Sequence, residues 1–90
     1  MAHERVRATP AMLSSGWPEG ASADPAGEAA RRFALNLRTA IEGRSVRALA
    51  RSAGLDEGTI RKILLGESWP DLRTIWNLES ALNVELYSRR

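Results

Sequence analysis

The chain has 90 residues, of which 43% are hydrophobic and 27% are charged, a composition typical of one small globular domain. It contains no cysteine and one histidine, His3, which argues against disulfide scaffolds, thiolate catalysis, His-based triads and multi-His metal sites. We therefore expect neither enzymatic activity nor a cofactor or metal. The formal net charge of +2 is uneven, since residues 1–28 carry −2 and residues 29–90 carry +4.

Residues 1–23 have the composition of an N-terminal arm. Gly, Pro, Ser and Ala dominate from Thr9 to Ala23, and neither a helical nor a strand period is sustained. Two interpretations stay open: a disordered segment, or an arm that docks through Trp17, Met12 and Leu13 onto its own domain or a partner. The second unit, residues 24–90, carries all the periodic pattern.

The first helix is predicted from Ala26 to Glu42. Asp24 is a favourable N-cap, and Pro25 suits the first helical position. Four apolar residues fall on one face at helical spacing: Phe33, Leu37, Ala40 and Ile41. Gly43 can end the helix by adopting a positive φ.

Three shorter helices follow, predicted over residues 46–53, 57–65 and 71–82. Their N-caps are Ser45, Asp56 and Asp71, and Gly54 and Gly66 end the first two. The apolar stripe of the last helix consists of Leu72, Ile75, Leu78 and Leu82. The following segment, Val84 to Tyr87, is compatible with an extended strand or one helical turn.

The second and third helices have the spacing of a helix-turn-helix. Ala50 is small where the two helices cross, and Gly54 tolerates the positive φ of a sharp turn. Leu55, Ile60 and Ile63 anchor the third helix. Its remaining side faces outward and carries Glu57, Gly58, Thr59, Arg61 and Lys62.

The segment SVRALARSAGLDEGTIRKILLGESWPDLRTIWNLESALNV resembles the lambda-repressor/Cro-like (XRE) family of helix-turn-helix regulators. The resemblance covers about residues 29–86. It implies an all-α fold, a small bundle of four or five helices with a flexible N-terminal arm. It also implies a sequence-specific DNA-binding transcriptional regulator, expected to be a repressor located in the cytoplasm and on the nucleoid, whose partner is double-stranded DNA. No apolar run long enough to span a membrane is present.

The resemblance places the third helix, residues 57–65, in the DNA major groove. The residues expected to contact bases are Glu57, Thr59, Arg61 and Lys62. Those expected to contact phosphates are Arg44, Ser45, Arg47, Ser68 and Arg73. Ala50 and Gly54 are structural.

Each contact has an alternative explanation. Arg44, Arg47 and Arg73 are also compatible with solvated surface charges, and Arg61 with an ion pair to Glu57 at i,i+4. Glu57 is further compatible with a simple interaction with the helix dipole, and Thr59 with packing. Trp69 is expected to plug the corner between the third and fourth helices, and Trp76 to be in the core or half-buried.

Two functional alternatives remain beside the regulator. An antitoxin-like protein would bind DNA and hold a protein partner through its N-terminal arm. A helix-turn-helix module used for protein contact alone would expose Trp76, Leu65 or Trp17, whereas a DNA-binding protein would gather its basic residues on one side. A homodimer, expected if two half-sites are read, would use Val84, Leu86 and Tyr87, Trp76 or the arm.

Overall fold

The computed structural model describes residues 7–88, and predictions for His3 and the other residues outside this range are not addressed by it. Four α-helices follow a short N-terminal hairpin. The helices are α1 (Pro25–Ala40), α2 (Val46–Ala53), α3 (Glu57–Leu64) and α4 (Leu72–Leu82). They are preceded by a 3-10 helix (Ala11–Leu13) and two strands, β1 (Ser14–Gly16) and β2 (Gly20–Ser22). The predicted four-helix arrangement is confirmed, and α1 ends two residues earlier than predicted.

Short polar side chains start three of the helices. The carboxylates of Asp24 and Asp71 each accept a 2.8 Å hydrogen bond from a backbone N–H three residues later. Ser45 does the same for α2 at 3.0 Å. Because each cap satisfies a donor that the helix itself leaves unpartnered, the boundaries follow from local sequence.

The core is formed where the four helices meet the C-terminal segment. Its largest members are less than 2% exposed: Phe33, Leu37, Leu49, Ile60, Leu78 and Leu86. Leu86 belongs to an irregular segment after α4 rather than to a helical turn. Its N–H donates to the Glu79 carboxylate at 2.7 Å, and its carbonyl accepts from the Asn36 amide at 2.9 Å. Burial of such side chains, worth about 1.5–3 kcal/mol each, stabilises helices too short to persist alone.

Two predictions for α4 are wrong. Leu72 is 82% exposed rather than part of the core stripe, and Trp76 is 70% exposed rather than buried. Thr74 and Leu78 are the buried residues of this helix, and both belong to the face that packs on α2. Leu72 and Trp76 are four residues apart and therefore share a different face of α4. Because α4 is oriented with Thr74 and Leu78 toward the core, this other face is exposed to solvent.

The N-terminal part of the chain differs most from expectation. No regular element was predicted before Asp24, yet β1 and β2 form an antiparallel pair in which Gly16 lies opposite Gly20. The peptide bond between Trp17 and Pro18 in the connecting turn is cis. Residues 9–22, named here the docked arm, lie against α1, with Pro10 fully buried. Contact with α1, rather than alternation within the segment, stabilises this hairpin.

Each helix between residues 7 and 88 is too short or too polar to cross a lipid bilayer.

Candidate nucleic-acid interface

The turn between α2 and α3 fixes the angle of the helix-turn-helix. Gly54 adopts a φ of +70°, in the left-handed region that favours glycine. The N–H of Leu55 donates to the carbonyl of Ala50 at 2.9 Å and closes the end of α2. Ala50 is only 4% exposed and belongs to the core cluster together with Leu49 and Ile60. The two helices of the pair therefore pack around a shared core.

The polar side of α3 faces away from the core. Ile60 and Ile63 are 0% and 3% exposed and anchor the helix. Arg61 and Lys62 are exposed, whereas Glu57 and Thr59 are half-buried. Gly58 is also exposed, with no atom within 4 Å of the position that a Cβ would occupy. The backbone at Gly58 is thus open to a close approach by a ligand.

A cluster of Arg47, Glu57 and Arg61, named here the Glu57 cluster, spans the two helices. One carboxylate oxygen of Glu57 lies 2.9 Å from Nη2 of Arg61, and the other lies 3.8 Å from Nε of Arg47. The side chains of Arg47 and Arg61 are 76% and 56% exposed. Two residues predicted to contact bases and one predicted to contact phosphate therefore lie side by side. The alternative i,i+4 pair between Glu57 and Arg61 is present in the structure.

The entrance to α2 carries two further predicted phosphate contacts. Arg44 is exposed in the segment between α1 and α2. Ser45 is exposed as well, and its hydroxyl oxygen caps α2 by accepting from the N–H of Ala48. A hydroxyl that accepts through its oxygen retains a proton to donate, so the capping role and a phosphate contact are compatible.

Ser68 and Arg73 flank α3 on the C-terminal side. Ser68 is half-buried in the connection to α4, and Arg73 is exposed in the first turn of α4. Asp71 lies between them. Its pKa is lowered by hydrogen bonds from the backbone N–H and side chain of Thr74 and, to a smaller extent, by the charge of Arg73. Arg73 consequently has an ionised acidic neighbour.

Asp56 stands at the N-cap position of α3, but its side chain makes no capping hydrogen bond. The prediction that Asp56 caps α3 is therefore wrong in this respect. The first turn is closed through the backbone instead, with the N–H of Thr59 donating to the carbonyl of Asp56 at 3.1 Å.

Trp69 lies at the corner before α4, where a hydrophobic plug was expected. Its half-buried ring lines an apolar cavity of about 240 Å³ together with Phe33, Ile75 and Tyr87. The indole N–H donates to the carbonyl of Ala8 at 2.9 Å. These contacts direct the ring into the protein rather than toward a ligand of α3.

Sequence reasoning missed the contact between the docked arm and the end of α3. The indole N–H of Trp17 donates to the carbonyl of Leu64 at 2.8 Å, and the N–H of Ala11 donates to the carbonyl of Gly66 at 2.9 Å. The only sequence signal was a tryptophan within a segment of small residues. It pointed to docking, but a contact between positions 47 residues apart has no local signature.

The segment from Arg44 to Arg73 contains six basic and four acidic residues, a net positive charge. Within residues 7–88 there is no group of three or more His, Cys, Asp or Glu side chains that could hold a metal ion. Arginine and lysine side chains, which bind phosphates and base edges, are exposed in this region beside the acidic side chains of Asp56, Glu67 and Asp71.

A family model described as helix-turn-helix, of the Cro-like XRE type, matches residues 36–88. The match includes the last five residues of α1 and the whole of α2, α3 and α4. Searches of curated proteins and of solved structures gave no match.

Proposed function

Since the chain belongs to the Cro-like (XRE) helix-turn-helix family of DNA-binding transcriptional regulators, we propose that it is a sequence-specific repressor that places α3 in the major groove. The observation that carries this proposal is the polar side of α3, where Arg61 and Lys62 are exposed directly opposite the buried Ile60 and Ile63. Occupation of an operator by the bound domain would exclude other proteins from the same DNA.

The chemistry of α3 suggests a role for each side chain. Arg61 and Lys62 donate to O6 and N7 of guanine, Glu57 accepts from the amino group of cytosine, and Thr59 contacts the methyl group of thymine. Gly58 lets the backbone approach the duplex. Arg44, Ser45, Arg47, Ser68 and Arg73 contact phosphates on both sides of the groove and fix the register.

The Glu57 cluster does not oppose this role. An exposed ion pair contributes about 0.2–1 kcal/mol, whereas a bidentate contact from arginine to guanine contributes about 1–3 kcal/mol. Arg61 therefore gains free energy by turning from Glu57 to a base edge. Until then, the carboxylate holds Arg47 and Arg61 at the surface where DNA arrives.

Replacement of the basic residues of α3 tests the proposal. An operator is first selected from genomic fragments with the purified protein. Arg61→Ala and Lys62→Ala should each weaken binding to this operator by about 1–3 kcal/mol and relax the preference at one base pair. Arg47→Ala should weaken binding to every sequence and flatten its salt dependence.

Arg32→Ala is the matched control, because Arg32 is an exposed arginine on α1 that pairs with Glu28 rather than with a residue of the helix-turn-helix. It should leave binding unchanged. Equal binding by the wild type, Arg61→Ala and Lys62→Ala would contradict the proposed contacts. If no fragment is retained at all, the module acts through protein contact instead.

We further propose that the regulator is a homodimer formed through the exposed face of α4. Leu72 and Trp76 are 82% and 70% exposed, and Val84 and Tyr87 lie beside them at about 40%. Trp76 lies between two open grooves that it helps to line. Around a two-fold axis, each Trp76 ring can fill a groove of the other copy, since an isologous interface is self-complementary.

The charges of α4 fit an antiparallel pair of copies. In an antiparallel pairing centred on Trp76, Arg73 of one copy lies at the same height as Glu79 of the other, because these residues are equally spaced along α4 on either side of Trp76. Trp76→Ala should shift the protein to monomer in sedimentation and remove cooperativity on a palindromic operator. Leu65→Ala, which truncates a 57% exposed apolar residue elsewhere, should not. An unchanged dimer in Trp76→Ala would contradict this interface.

The structure favours the regulator over an antitoxin-like protein that captures a partner with its arm. Trp17 donates to Leu64, and Leu13 packs near Gly27 of α1. Of the three residues predicted to dock, only Met12 is largely exposed, at 66%. A partner would first have to displace these internal contacts.

A further inference from the structure

The last turn of α3 ends in a local cap formed at Gly66. Gly66 has a φ of +71°. Its N–H donates to the carbonyl of Ile63 at 3.1 Å, and the N–H of Glu67 donates to the carbonyl of Lys62 at 2.8 Å. This pair of bonds is the usual way in which a left-handed glycine terminates a helix, and it satisfies two of the carbonyls that a helix end leaves without partners.

The docked arm supplies the bonds that this local cap does not. The indole N–H of Trp17 donates to the carbonyl of Leu64 at 2.8 Å, and the N–H of Ala11 donates to the carbonyl of Gly66 at 2.9 Å. Both donors lie more than 40 residues before the carbonyls that accept from them. The end of α3 is therefore complete only when the arm is in place.

The arm also packs against the end of α3 more closely than any residue except glycine would allow at position 66. A Cβ on Gly66 would lie 2.6 Å from Cε2 of Trp17 and 2.8 Å from Cβ of Ala11. Gly66 is itself buried. The ring of Trp17 consequently lies directly on the backbone where α3 ends.

This contact lies next to the predicted base-contacting residues. Arg61 and Lys62 are in the last turn of α3, and the carbonyl of Lys62 accepts one of the capping hydrogen bonds. A helix of eight residues is marginal on its own, and unravelling starts at its ends. Loss of the arm would therefore loosen the turn that carries Arg61 and Lys62.

We propose that Trp17 and Gly66 are positioning residues for DNA recognition: the docked arm caps α3 and holds its last turn in the geometry that reads bases. The proposal rests on the proposed function, in that α3 is taken as the DNA-contacting helix. Neither Trp17 nor Gly66 needs to touch DNA for this role, because each acts on Arg61 and Lys62 through the helix end.

The test compares two tryptophans of the full chain. Trp17→Phe keeps an aromatic ring but removes the N–H that bonds to α3. Trp69→Phe removes an N–H of the same kind, which donates to the carbonyl of Ala8 at 2.9 Å rather than to a carbonyl at the end of α3. Each variant is studied at a temperature where circular dichroism shows it to be fully folded. Trp17→Met, which fills part of the same space and has no side-chain N–H or O–H to donate, serves if Trp17→Phe unfolds too readily.

Two measurements are made on each variant. In the free protein, hydrogen exchange of the amides of Leu65, Gly66 and Glu67 should become about two- to tenfold faster in Trp17→Phe and stay unchanged in Trp69→Phe, as expected for loss of one hydrogen bond. Affinity for the selected operator should fall by about the same factor in Trp17→Phe, whereas affinity for an unrelated duplex of equal length should not change.

Equal effects of the two variants on operator binding would overturn the proposal, because the arm would then act only through overall stability. Faster exchange in Trp17→Phe with unchanged operator binding would overturn it as well. Failure of the proposed function is recognised separately, since Arg61→Ala and Lys62→Ala would then bind the operator as the wild type does.

Discussion

The two helices of the helix-turn-helix have equal lengths, eight residues each, but their ends are closed in different ways. α2 starts with Ser45, whose side chain bonds to Ala48, and ends at Gly54, where Leu55 bonds back to Ala50. Every partner lies within six residues of the group it satisfies. No atom lies within 4 Å of a Cβ placed on Gly54.

α3 lacks a side-chain capping bond at its N-terminus, and its C-terminal glycine is more closely packed than that of α2. The side chain of Asp56 makes no capping bond, and Trp17 covers Gly66 although the φ of Gly66 matches that of Gly54 within a degree. The helix that supports the motif is thus specified by its own neighbourhood. The helix proposed to read DNA has its end covered by a segment far away in the chain.

The largest expected difference between the two ends comes from adding one methyl group to each glycine. Gly54→Ala places a Cβ in open space at a positive φ and should destabilise the protein by about 1–2 kcal/mol. Gly66→Ala carries the same backbone strain and also drives a Cβ into Trp17 and Ala11, which adds about 1–3 kcal/mol of overpacking. Urea unfolding followed by circular dichroism measures both values.

Gly43→Ala provides a second control, because Gly43 has a φ of +85° and equally open surroundings. It should behave like Gly54→Ala. If Gly66→Ala destabilises the protein no more than these two variants, Trp17 and Ala11 can move aside at little cost in free energy, and the end of α3 is not tightly packed.

Most helix boundaries could be predicted from the sequence, because the residues that cap and terminate helices act locally. Helix starts at Asp24, Ser45 and Asp71 and the terminating glycines at positions 54 and 66 follow from preferences that act over a few residues. The hairpin of the docked arm was not readable. Its strands have three residues each and owe their stability to α1.

The candidate site shows the same division. The pair of Glu57 with Arg61 could be anticipated because residues four apart on a helix are neighbours. The approach of Arg47 to Glu57 depends on how α2 crosses α3 and could not. Exposure of Trp76 depends likewise on the rotation of α4, because tryptophan suits a core and an interface equally well.

A smaller difference is expected between the two helix starts. Ser45→Ala removes a capping bond and should lower the free energy of unfolding by about 0.5–2 kcal/mol. Asp56→Ala removes no capping bond and should forfeit only the interaction of its charge with the dipole of α3, about 0.3–1 kcal/mol, which high salt screens. Unfolding at low and high salt separates the two. A larger, salt-independent loss in Asp56→Ala would show that its side chain caps α3 in solution.

The smallest expected effect is that the ionisation of Glu28 influences the docked arm and, through the arm, the end of α3. The pKa of Glu28 lies well below its ordinary value of 4.5, because its carboxylate accepts hydrogen bonds from Arg31 and from the N–H of Ser22 in β2. Arg31 in turn donates to the carbonyl of Pro18 at 3.0 Å, so Glu28 holds β2 directly and the hairpin turn through Arg31. Its ionised form is favoured by folding.

The contribution of Glu28 to stability is therefore complete above about pH 4.5 and declines as the pH falls below that value. Glu28→Gln should lack this contribution at neutral pH and show a flatter decline of Tm in acid. Asp71, whose pKa is also lowered, keeps its own acid dependence in both proteins and cancels from the comparison. At neutral pH, exchange of the Gly66 amide should be faster in Glu28→Gln than in the wild type, whereas that of Leu55 at the end of α2 should not change. Equal acceleration of exchange at both amides would mean that Glu28 stabilises the whole domain rather than the docked arm. Glu28 on α1 would then have no particular influence on the end of α3.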